Sequence, residues 1–174
     1  MAVSIRRARA DDVDFLVELV TDDEVQPFLA AVRPRDHEGV RRLIDRSDRE
    51  PDAFGVFVIE VDGELAGTME FEVVNRRSSI ATVGGLAVHS RFRGRRVGDD
   101  AARLFQRHLL VDLGLHRLQL EIYGFNERAI AHAERVGFVR EGVKRKAYRR
   151  DDGWVDGVMY ALLREDLDRS PQAS

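Results

Sequence analysis

Three consecutive segments with the composition of β-strands lie between residues 54 and 88, and only short turns separate them. The first, Phe54 to Val61, is rich in aromatic and β-branched residues, and the Asp62-Gly63 pair that follows is a strong hairpin signal. The second, Leu65 to Val74, alternates apolar and polar side chains, and the third runs from Ser79 to Val88. Because short turns join antiparallel neighbours, this region is predicted to form a three-stranded meander.

Helical and strand segments on both sides of the meander complete the predicted order of elements. A strand at Val3 to Arg9 and two helices precede the meander, and the second helix begins at Asp36. After the meander come a helix that ends at Gly114, a strand, a helix capped by Asn126 and two final strands; the strands are Leu118 to Tyr123, Val139 to Val143 and Trp154 to Leu163. This order predicts one α+β domain over residues 1–165, followed by a tail over residues 166–174.

Composition excludes several classes of site. The 174 residues are 44% hydrophobic and 34% charged, which is typical of a globular protein and not of a disordered chain. The sequence has no cysteine, so disulfide scaffolds, thiolate zinc sites and cysteine nucleophiles are excluded. The five histidines lack metal-ligand spacing, so we expect no metal. A net charge of −3 argues against a nucleic-acid-binding module.

The chain begins without the apolar segment of a secretory signal, and no run of residues is long and apolar enough to span a membrane. We therefore expect a cytoplasmic protein that does not bind membranes.

An arginine- and glycine-rich segment, Arg93 to Gly98, connects the third meander strand to the next helix. The N-terminus of a helix exposes free N–H groups and the positive end of the helix dipole, and both favour a phosphate group. The segment lacks the Gly-Lys-Ser/Thr ending of a P-loop and the G-x-G-x-x-G of a dinucleotide site. The sequence here predicts either a phosphate-binding loop or a solvated basic turn.

The order of the later motifs resembles the GNAT superfamily of acetyl-CoA-dependent N-acetyltransferases, in the branch of RimJ/RimL and spermidine acetyltransferases. The motifs that carry the resemblance are Leu86-Ala87-Val88, Arg93 to Gly98, Leu115 to Leu118, Asn126 to Ala129, Val136-Gly137-Phe138, Glu141-Gly142, and Asp152-Gly153 with Asp156. The resemblance covers nearly the whole chain. It implies a mixed, mostly antiparallel sheet of about seven strands, splayed at the cofactor site and flanked by about four helices.

The resemblance also implies that acetyl-CoA is the cosubstrate. The loop would wrap the pyrophosphate, the third meander strand would pair with the pantetheine arm, and Gly84-Gly85 would mark the bulge that admits the thioester. Asn126 would hold the pantetheine amide and Arg135 would approach the phosphates. The cofactor-binding residues implied in this way are Leu86, Ala87, Val88, Arg93, Gly94, Arg95, Arg96, Val97, Gly98, Asp99, Asn126 and Arg135.

The sequence departs from the family pattern at two positions. In the loop pattern R-x-x-G-x-G that begins at Arg93, the first glycine is Arg96. We expect the amide there to bind phosphate still if Arg96 has an ordinary helical φ. The family's tyrosine acid, which protonates the departing thiolate, corresponds to Ala133. His132 is adjacent, but on a helix its side chain points about 100° away. Tyr123 and Tyr148 are the remaining donors.

The general base is not fixed by the resemblance, because the family's glutamate position corresponds to Val83. An amine must be neutral when it attacks, so a carboxylate must take its proton directly or through water. Glu70 and Glu72 share one face of the neighbouring strand and are the first candidates, and Glu121 is another. The alternative role of these carboxylates is to form a solvated polar face.

These observations predict an N-acetyltransferase that transfers the acetyl group of acetyl-CoA to a primary amine by direct attack. The acceptor would be a small amine, a polyamine or a protein N-terminus, and Asp22, Asp23 and Glu24 would suit a cationic acceptor. The alternative is a catalytically weak or silent acetyl-CoA-binding module. Because members of this branch commonly pair, we also expect a homodimer formed through the late strands.

Overall fold

The computed structural model describes residues 1–25, 34–150 and 153–168. Within these residues the strands are β1 (Val3–Arg7), β2 (Phe54–Val61), β3 (Glu64–Asn75), β4 (Ile80–Val88), β5 (Arg117–Tyr123), β6 (Val139–Arg150) and β7 (Gly153–Leu163). The α-helices are α1 (Val13–Thr21), α2 (His37–Arg49), α3 (Val97–Arg107) and α4 (Glu127–Arg135), and a π-helical turn, His108–Asp112, prolongs α3. The predicted order of elements is confirmed. Strand β6 is longer than predicted, and Asp152 of the predicted last turn lies outside the described residues.

The strands form one sheet in the order β1-β2-β3-β4-β5-β7-β6. All neighbours are antiparallel except β4 and β5, which are parallel. The parallel pairing joins only three residue pairs and ends at Thr82 opposite Gln119. Beyond that point β4 and β5 separate, so the predicted mixed sheet with an internal splay is confirmed.

A bulge lies in β4 just beyond the end of this pairing. Thr68 of β3 pairs with Ala87, but Glu70, two residues later on β3, pairs with Gly84, three residues away on β4. The extra residue is accommodated at Gly85, whose φ of 64° lies in the region that favours glycine. The bulge predicted from the Gly84-Gly85 pair is therefore confirmed.

The two faces of the sheet bury separate clusters. Helices α3 and α4 cover one face, where Phe57, Phe71 and Phe105 pack with ring centroids 5.0–6.3 Å apart. Helices α1 and α2 cover the first strands of the other face, where Leu16 and Ile44 pack on β2. Strand β2 is an almost continuous apolar run because both of its faces are covered.

The ordered structure continues beyond the predicted end of the domain at residue 165. A 3₁₀ turn, Arg164–Asp168, follows β7. The Asp166 carboxylate accepts a hydrogen bond of 2.9 Å from the N–H of Leu163, and Leu167 packs against the cluster under α3. None of the described helices has the length and apolar composition needed to cross a membrane.

Candidate functional site

The loop between β4 and α3 presents a run of unpaired backbone N–H groups. Within the described part of the chain, the backbone N–H groups of residues 94–98 donate no hydrogen bond. No described side chain caps the N-terminus of α3. The guanidinium groups of Arg95 and Arg96 are exposed and have no ion-pair partner in the described part of the chain. Five successive donors at a helix N-terminus, flanked by two cations, form a concave site for an anion such as phosphate.

Arg96 corrects the expectation about its backbone. It is the N-cap of α3 with φ 60° and ψ 13°, which is left-handed and not the ordinary helical conformation. A glycine at this position would adopt the same conformation without the steric cost that a side chain carries. Arg96 therefore has a backbone conformation that favours glycine, the residue of the family pattern at this position.

Arg93, which is predicted to bind the cofactor, uses its guanidinium in contacts within the protein. Its Nε donates to the carbonyl of Val88 at 2.9 Å, its Nη1 contacts the Glu24 carboxylate, and its Nη2 lies 3.8 Å from Asp22. The side chain therefore ties the loop to the end of β4 and to the residues after α1. Arg93 thus pairs with both Asp22 and Glu24, and its single positive charge offsets only one of the two carboxylates; of the three predicted acidic residues only Asp23 lacks such a pair among the described residues.

Arg135 and Asp99, which are both predicted to bind the cofactor, are paired with each other. Asp99, in the first turn of α3, is buried and accepts hydrogen bonds from Nε and Nη2 of Arg135 at 2.6 and 2.8 Å. It also contacts Nδ1 of His132 at 2.9 Å. The Arg135 guanidinium, and to a smaller extent His132, lowers the pKa of Asp99 to about 2 against the cost of burial. This cluster fixes the N-terminus of α3 to α4.

The free edge of β4 borders a groove that fits an extended chain. Beyond Thr82 no described strand pairs with β4 on its β5 side, so Leu86, Ala87 and Val88 border the split. A Cβ added to Gly98 would lie 3.7–3.9 Å from Val88, Leu86 and His132, so the groove has space there. Asn126 caps α4, with its Oδ1 accepting from the N–H of Ala129 at 3.1 Å, and its amide N–H groups remain available as donors.

The other face of the sheet is open at the split. Glu70 on β3 lies opposite Gly84 on β4, and Thr82 hydrogen-bonds Gln119 across the last paired position at 3.4 Å. A Cβ added to Gly84 would have no atom within 4 Å. The half-buried Glu70 therefore borders an open floor at the point where β4 and β5 separate.

Glu72, the second predicted candidate for the base, is engaged in an ion pair. Its carboxylate accepts a hydrogen bond of 2.5 Å from Nη2 of Arg46 on α2, and this ion pair raises the pKa of Arg46. The side chain fastens α2 to the sheet. Glu70 and Glu72 do share one face, as predicted, but only Glu70 lies beside the open floor.

Glu121 and Tyr148 lie together farther along the same face. The Glu121 carboxylate and the Tyr148 ring both lie over Gly157 of β7. A Cβ added to Gly157 would be 2.5 Å from Oε1 of Glu121 and 2.7 Å from the Tyr148 ring. Lys144 donates to Oε2 at 2.9 Å, whereas the buried Oε1 has no partner among the described residues. Burial, and then the Glu121 carboxylate, raises the pKa of the Tyr148 phenol to about 12, so the phenol stays protonated at neutral pH.

Two features of the site lie outside the sequence predictions. The Asp99 contact of His132 was missed, although His132 and Arg135 are three residues apart and therefore share a helix face. The Lys144–Glu121 pair was also missed, because it depends on the register of three strands. Ala133 is only 1% exposed and belongs to the core under α4. Among the described residues, no cluster of His, Asp and Glu side chains is arranged to hold a metal ion.

Comparison with known proteins points to one family. The sequence model described as an acetyltransferase (GNAT) domain matches residues 3–139. The SPbeta prophage-derived uncharacterized N-acetyltransferase YokL of Bacillus subtilis is 24% identical over 168 residues, which cover 95% of this chain and 92% of that protein. Spermidine N(1)-acetyltransferase of Escherichia coli is 27% identical over 150 residues, or 81% and 75% of the two chains.

A solved structure shares the same fold. The spermidine N-acetyltransferase of Vibrio cholerae, in complex with CoA and spermine, superposes with a TM-score of 0.85 at 17% identity. The alignment covers 95% of this chain and 97% of that chain. The split sheet and its flanking helices are therefore common to both proteins.

Proposed function

The chain belongs to the GNAT acetyltransferase family and is an acetyl-CoA-dependent N-acetyltransferase; from this premise we propose how its own residues carry the reaction. The observation that carries the proposal is the run of unpaired N–H groups from Gly94 to Gly98, which opens beside the split between β4 and β5. We place the pyrophosphate of acetyl-CoA on these groups and the pantetheine arm along Leu86 to Val88. Arg95 and Arg96 supply the exposed positive charge, whereas Arg93 and Arg135 hold the surrounding structure.

The acceptor in this proposal is a cationic primary amine that enters over Gly84 beside Glu70. The open floor at Gly84 gives the amine access to the split from the face opposite α3 and α4. The relatives named for spermidine act on such an amine. Glu70 takes the ammonium proton, directly or through water, and the neutral nitrogen then attacks the thioester carbonyl. The C–N bond forms, the C–S bond breaks, and the thiolate leaves.

Tyr148 remains the side-chain candidate for protonating that thiolate, because its ring lies beside Glu121 on the same face of the sheet as Glu70. A thiol has a pKa of about 8.5, so its thiolate is also a tolerable leaving group without help. Replacement of Tyr148 by Phe distinguishes these routes. A fall in kcat of about 100-fold, with cofactor affinity intact, would assign the proton to Tyr148.

The test of the proposed function is thiol release from acetyl-CoA in the presence of spermidine, an L-amino acid and a peptide with a free N-terminus. We expect release with at least one amine, and Glu70→Gln should lower kcat/KM by about 10²-fold or more. Glu72→Gln is the matched control, because Glu72 is on the same strand and face but lies opposite Thr82 and not opposite Gly84. Binding of acetyl-CoA without release for any amine would favour the silent module.

A homodimer and a cytoplasmic location complete the proposal. Strand β6 is at the edge of the sheet, and Val139 and Trp154 near it are 58% and 60% exposed. A twelve-residue edge strand with exposed apolar side chains is suited to pairing with a second copy. Sedimentation at micromolar concentration should show a dimer, and a monomer alone would reject this part. Cell fractionation tests the location.

A further inference from the structure

His132 has one ring nitrogen that the protein itself does not use. Its Nδ1 is held by the buried Asp99 carboxylate at 2.9 Å, and Asp99 is in turn held by the two-pronged contact with Arg135. Among the described residues, Nε2 has no hydrogen-bond partner. The pair therefore fixes the ring orientation and leaves Nε2 directed outward from Asp99, as in histidines whose second nitrogen binds a ligand.

The edge of the His132 ring that carries Nε2 lies beside Gly98, in the loop proposed to bind the pyrophosphate. Cε1, which is bonded to Nε2, is 3.8 Å from the position that a Cβ would take on Gly98. Gly98 is the last of the five residues with an unpaired N–H group. Leu86 and Val88 approach the same position to 3.9 and 3.7 Å, so the ring forms one wall of the groove beside β4.

We propose that Nε2 of His132 donates a hydrogen bond to the pyrophosphate of the bound cofactor, and that the Asp99–His132 pair thereby makes cofactor affinity dependent on pH. This inference rests on the cofactor placement proposed above. His132 is a binding residue here and Asp99 is a positioning residue. The bond requires the imidazolium form, because a neutral ring that donates from Nδ1 to Asp99 has only a lone pair on Nε2.

The charged groups around His132 set the direction of the effect. Asp99 on α3 favours the imidazolium, whereas Arg103 on α3 and Arg135 on α4 oppose it, and β4 presents the apolar Leu86 and Val88. Burial is the largest influence, and the net result lowers the pKa of His132 below 6.5. A pyrophosphate adds negative charge beside the ring and raises this pKa. Binding is therefore coupled to proton uptake, and affinity rises as the pH falls.

The test measures the dissociation constant of dephospho-CoA by calorimetry between pH 8 and pH 5.5. Dephospho-CoA keeps the pyrophosphate but lacks the 3′-phosphate, whose own titration near pH ~6 would obscure the result. We expect the wild type to bind about three- to tenfold more tightly at pH 5.5 than at pH 8, because each unit of pKa increase on binding corresponds to about a tenfold change.

The variant His132→Gln keeps an amide N–H donor but has no titratable group. It should lose the increase in affinity at low pH, because the side chain at position 132 then takes up no proton. The matched control is His116→Gln, because His116 is exposed and lies before β5, away from the loop; it should retain the increase. An equal slope in His132→Gln and the wild type would overturn the inference.

An NMR titration of the His132 ring in the wild type gives a second readout that needs no variant. Saturation with dephospho-CoA should raise its pKa, and an unchanged value would contradict the proposal. The two proposals can fail separately. If the wild type binds neither acetyl-CoA nor dephospho-CoA, the cofactor placement fails; if both bind without a slope that depends on His132, only the present inference fails.

Discussion

Arg96 has a backbone conformation that costs an arginine about 1–2 kcal/mol, because its Cβ approaches the following carbonyl. The position begins α3 and directs the unpaired N–H groups, so the conformation belongs to the proposed cofactor site. Strained conformations of this kind concentrate at functional sites. The loop thus retains its path although the residue that would adopt it most easily is absent.

We predict that Arg96→Gly raises the free energy of unfolding by up to about 1 kcal/mol, since glycine relieves the strain but loses more entropy on folding. Arg96→Val should lower it by about 1–2 kcal/mol, because a β-branched residue tolerates this region poorly. Urea denaturation measures both. The control is Arg95→Gly, where φ is not positive and glycine should only destabilise. Equal stability of the Gly and Val variants at position 96 would contradict the prediction.

Asp99 makes the free energy of unfolding depend on pH. Its pKa is about 2 in the folded protein and about 4 in an unfolded chain. A carboxylate with a lowered pKa stabilises the fold at pH values above its unfolded pKa, and this contribution disappears as pH falls through the folded pKa. We therefore expect about 2 kcal/mol of stability to be lost between pH ~4 and pH ~2.

The variant Asp99→Asn isolates this contribution from that of other carboxylates. It should be less stable than the wild type by about 2–3 kcal/mol at pH 7, because the Arg135 guanidinium loses its buried carboxylate partner and the His132 ring loses the carboxylate that Nδ1 contacts. The difference should shrink at pH 2. Denaturant unfolding at both values measures it, and a constant difference would show that the charge of Asp99 is not responsible.

Ala133 occupies the position of the family's tyrosine, and the structure leaves little room there for a tyrosine ring. The sequence predicts that Ala133→Tyr raises turnover if the pocket has room for the ring. The side chain is buried in the core under α4, so the larger ring would overpack it. The structure therefore favours a protein that works without an acid at this position.

At the scale of elements, the separation of β4 from β5 creates both sides of the site. Three paired residues hold the strands at one end, and the bulge at Gly85 turns β4 away at the other. One side of the split then meets the N-terminus of α3, and the other side opens over Gly84. The cofactor and the amine can thus approach one point from opposite faces.

Gly84 allows a direct test of the amine entrance. A Cβ built on Gly84 has no atom of the described residues within 4 Å. The variant Gly84→Leu should therefore fold normally, and its side chain should occupy the open space beside Glu70. We expect kcat/KM for the amine to fall by about tenfold or more, with the dissociation constant of acetyl-CoA within about twofold. Gly84→Ala is the smaller control and should have an intermediate effect. Unchanged amine kinetics in Gly84→Leu would place the entrance elsewhere.

Arg93 connects the loop to α1 in a way that is independent of the cofactor. Its contacts with Val88 and Glu24 join the end of β4, the loop and the residues after α1. Because α1 and α2 border the open face, this connection positions one wall of the amine entrance relative to the cofactor loop. A charge change at Arg93 thus acts through structure and not only through phosphate attraction.

At the scale of the whole molecule, the proposed placement puts the two substrates on separate faces of the sheet, and one core supports both faces. Binding to the folded state alone stabilises it by about 2.7 kcal/mol when a ligand is present at about 100 times its dissociation constant. For a domain of this size, each kcal/mol raises Tm by about 2–4 °C. We therefore expect acetyl-CoA at that concentration to raise Tm by about 5–10 °C in a calorimetric scan.

The control for this measurement is an amine acceptor alone, which should give a smaller shift because it contacts only the open face. An absence of any shift with acetyl-CoA, at concentrations where thiol release is saturated, would contradict the cofactor placement.

Local patterns in the sequence were sufficient to predict the elements. The aromatic and β-branched residues of β2, the alternation in β3, the Asp62-Gly63 turn and the caps at Asp36 and Asn126 are all local signals, and the elements that they predict all appear in the structure. The bulge at Gly85 was predictable for the same reason. The motif order also predicted the family, because it reflects spacing along the chain.

The partners of individual side chains were decided only by the tertiary structure. Arg93, Arg135 and Glu72 were predicted to face substrates, but each is paired with a residue 26 to 69 positions away. Such pairs depend on strand register and helix packing, which bring distant charges into a partly buried environment where pairing is favourable. Because a sequence pattern records the type of a side chain and not its distant neighbour, His132 beside Asp99 could be recognised only after the chain had folded.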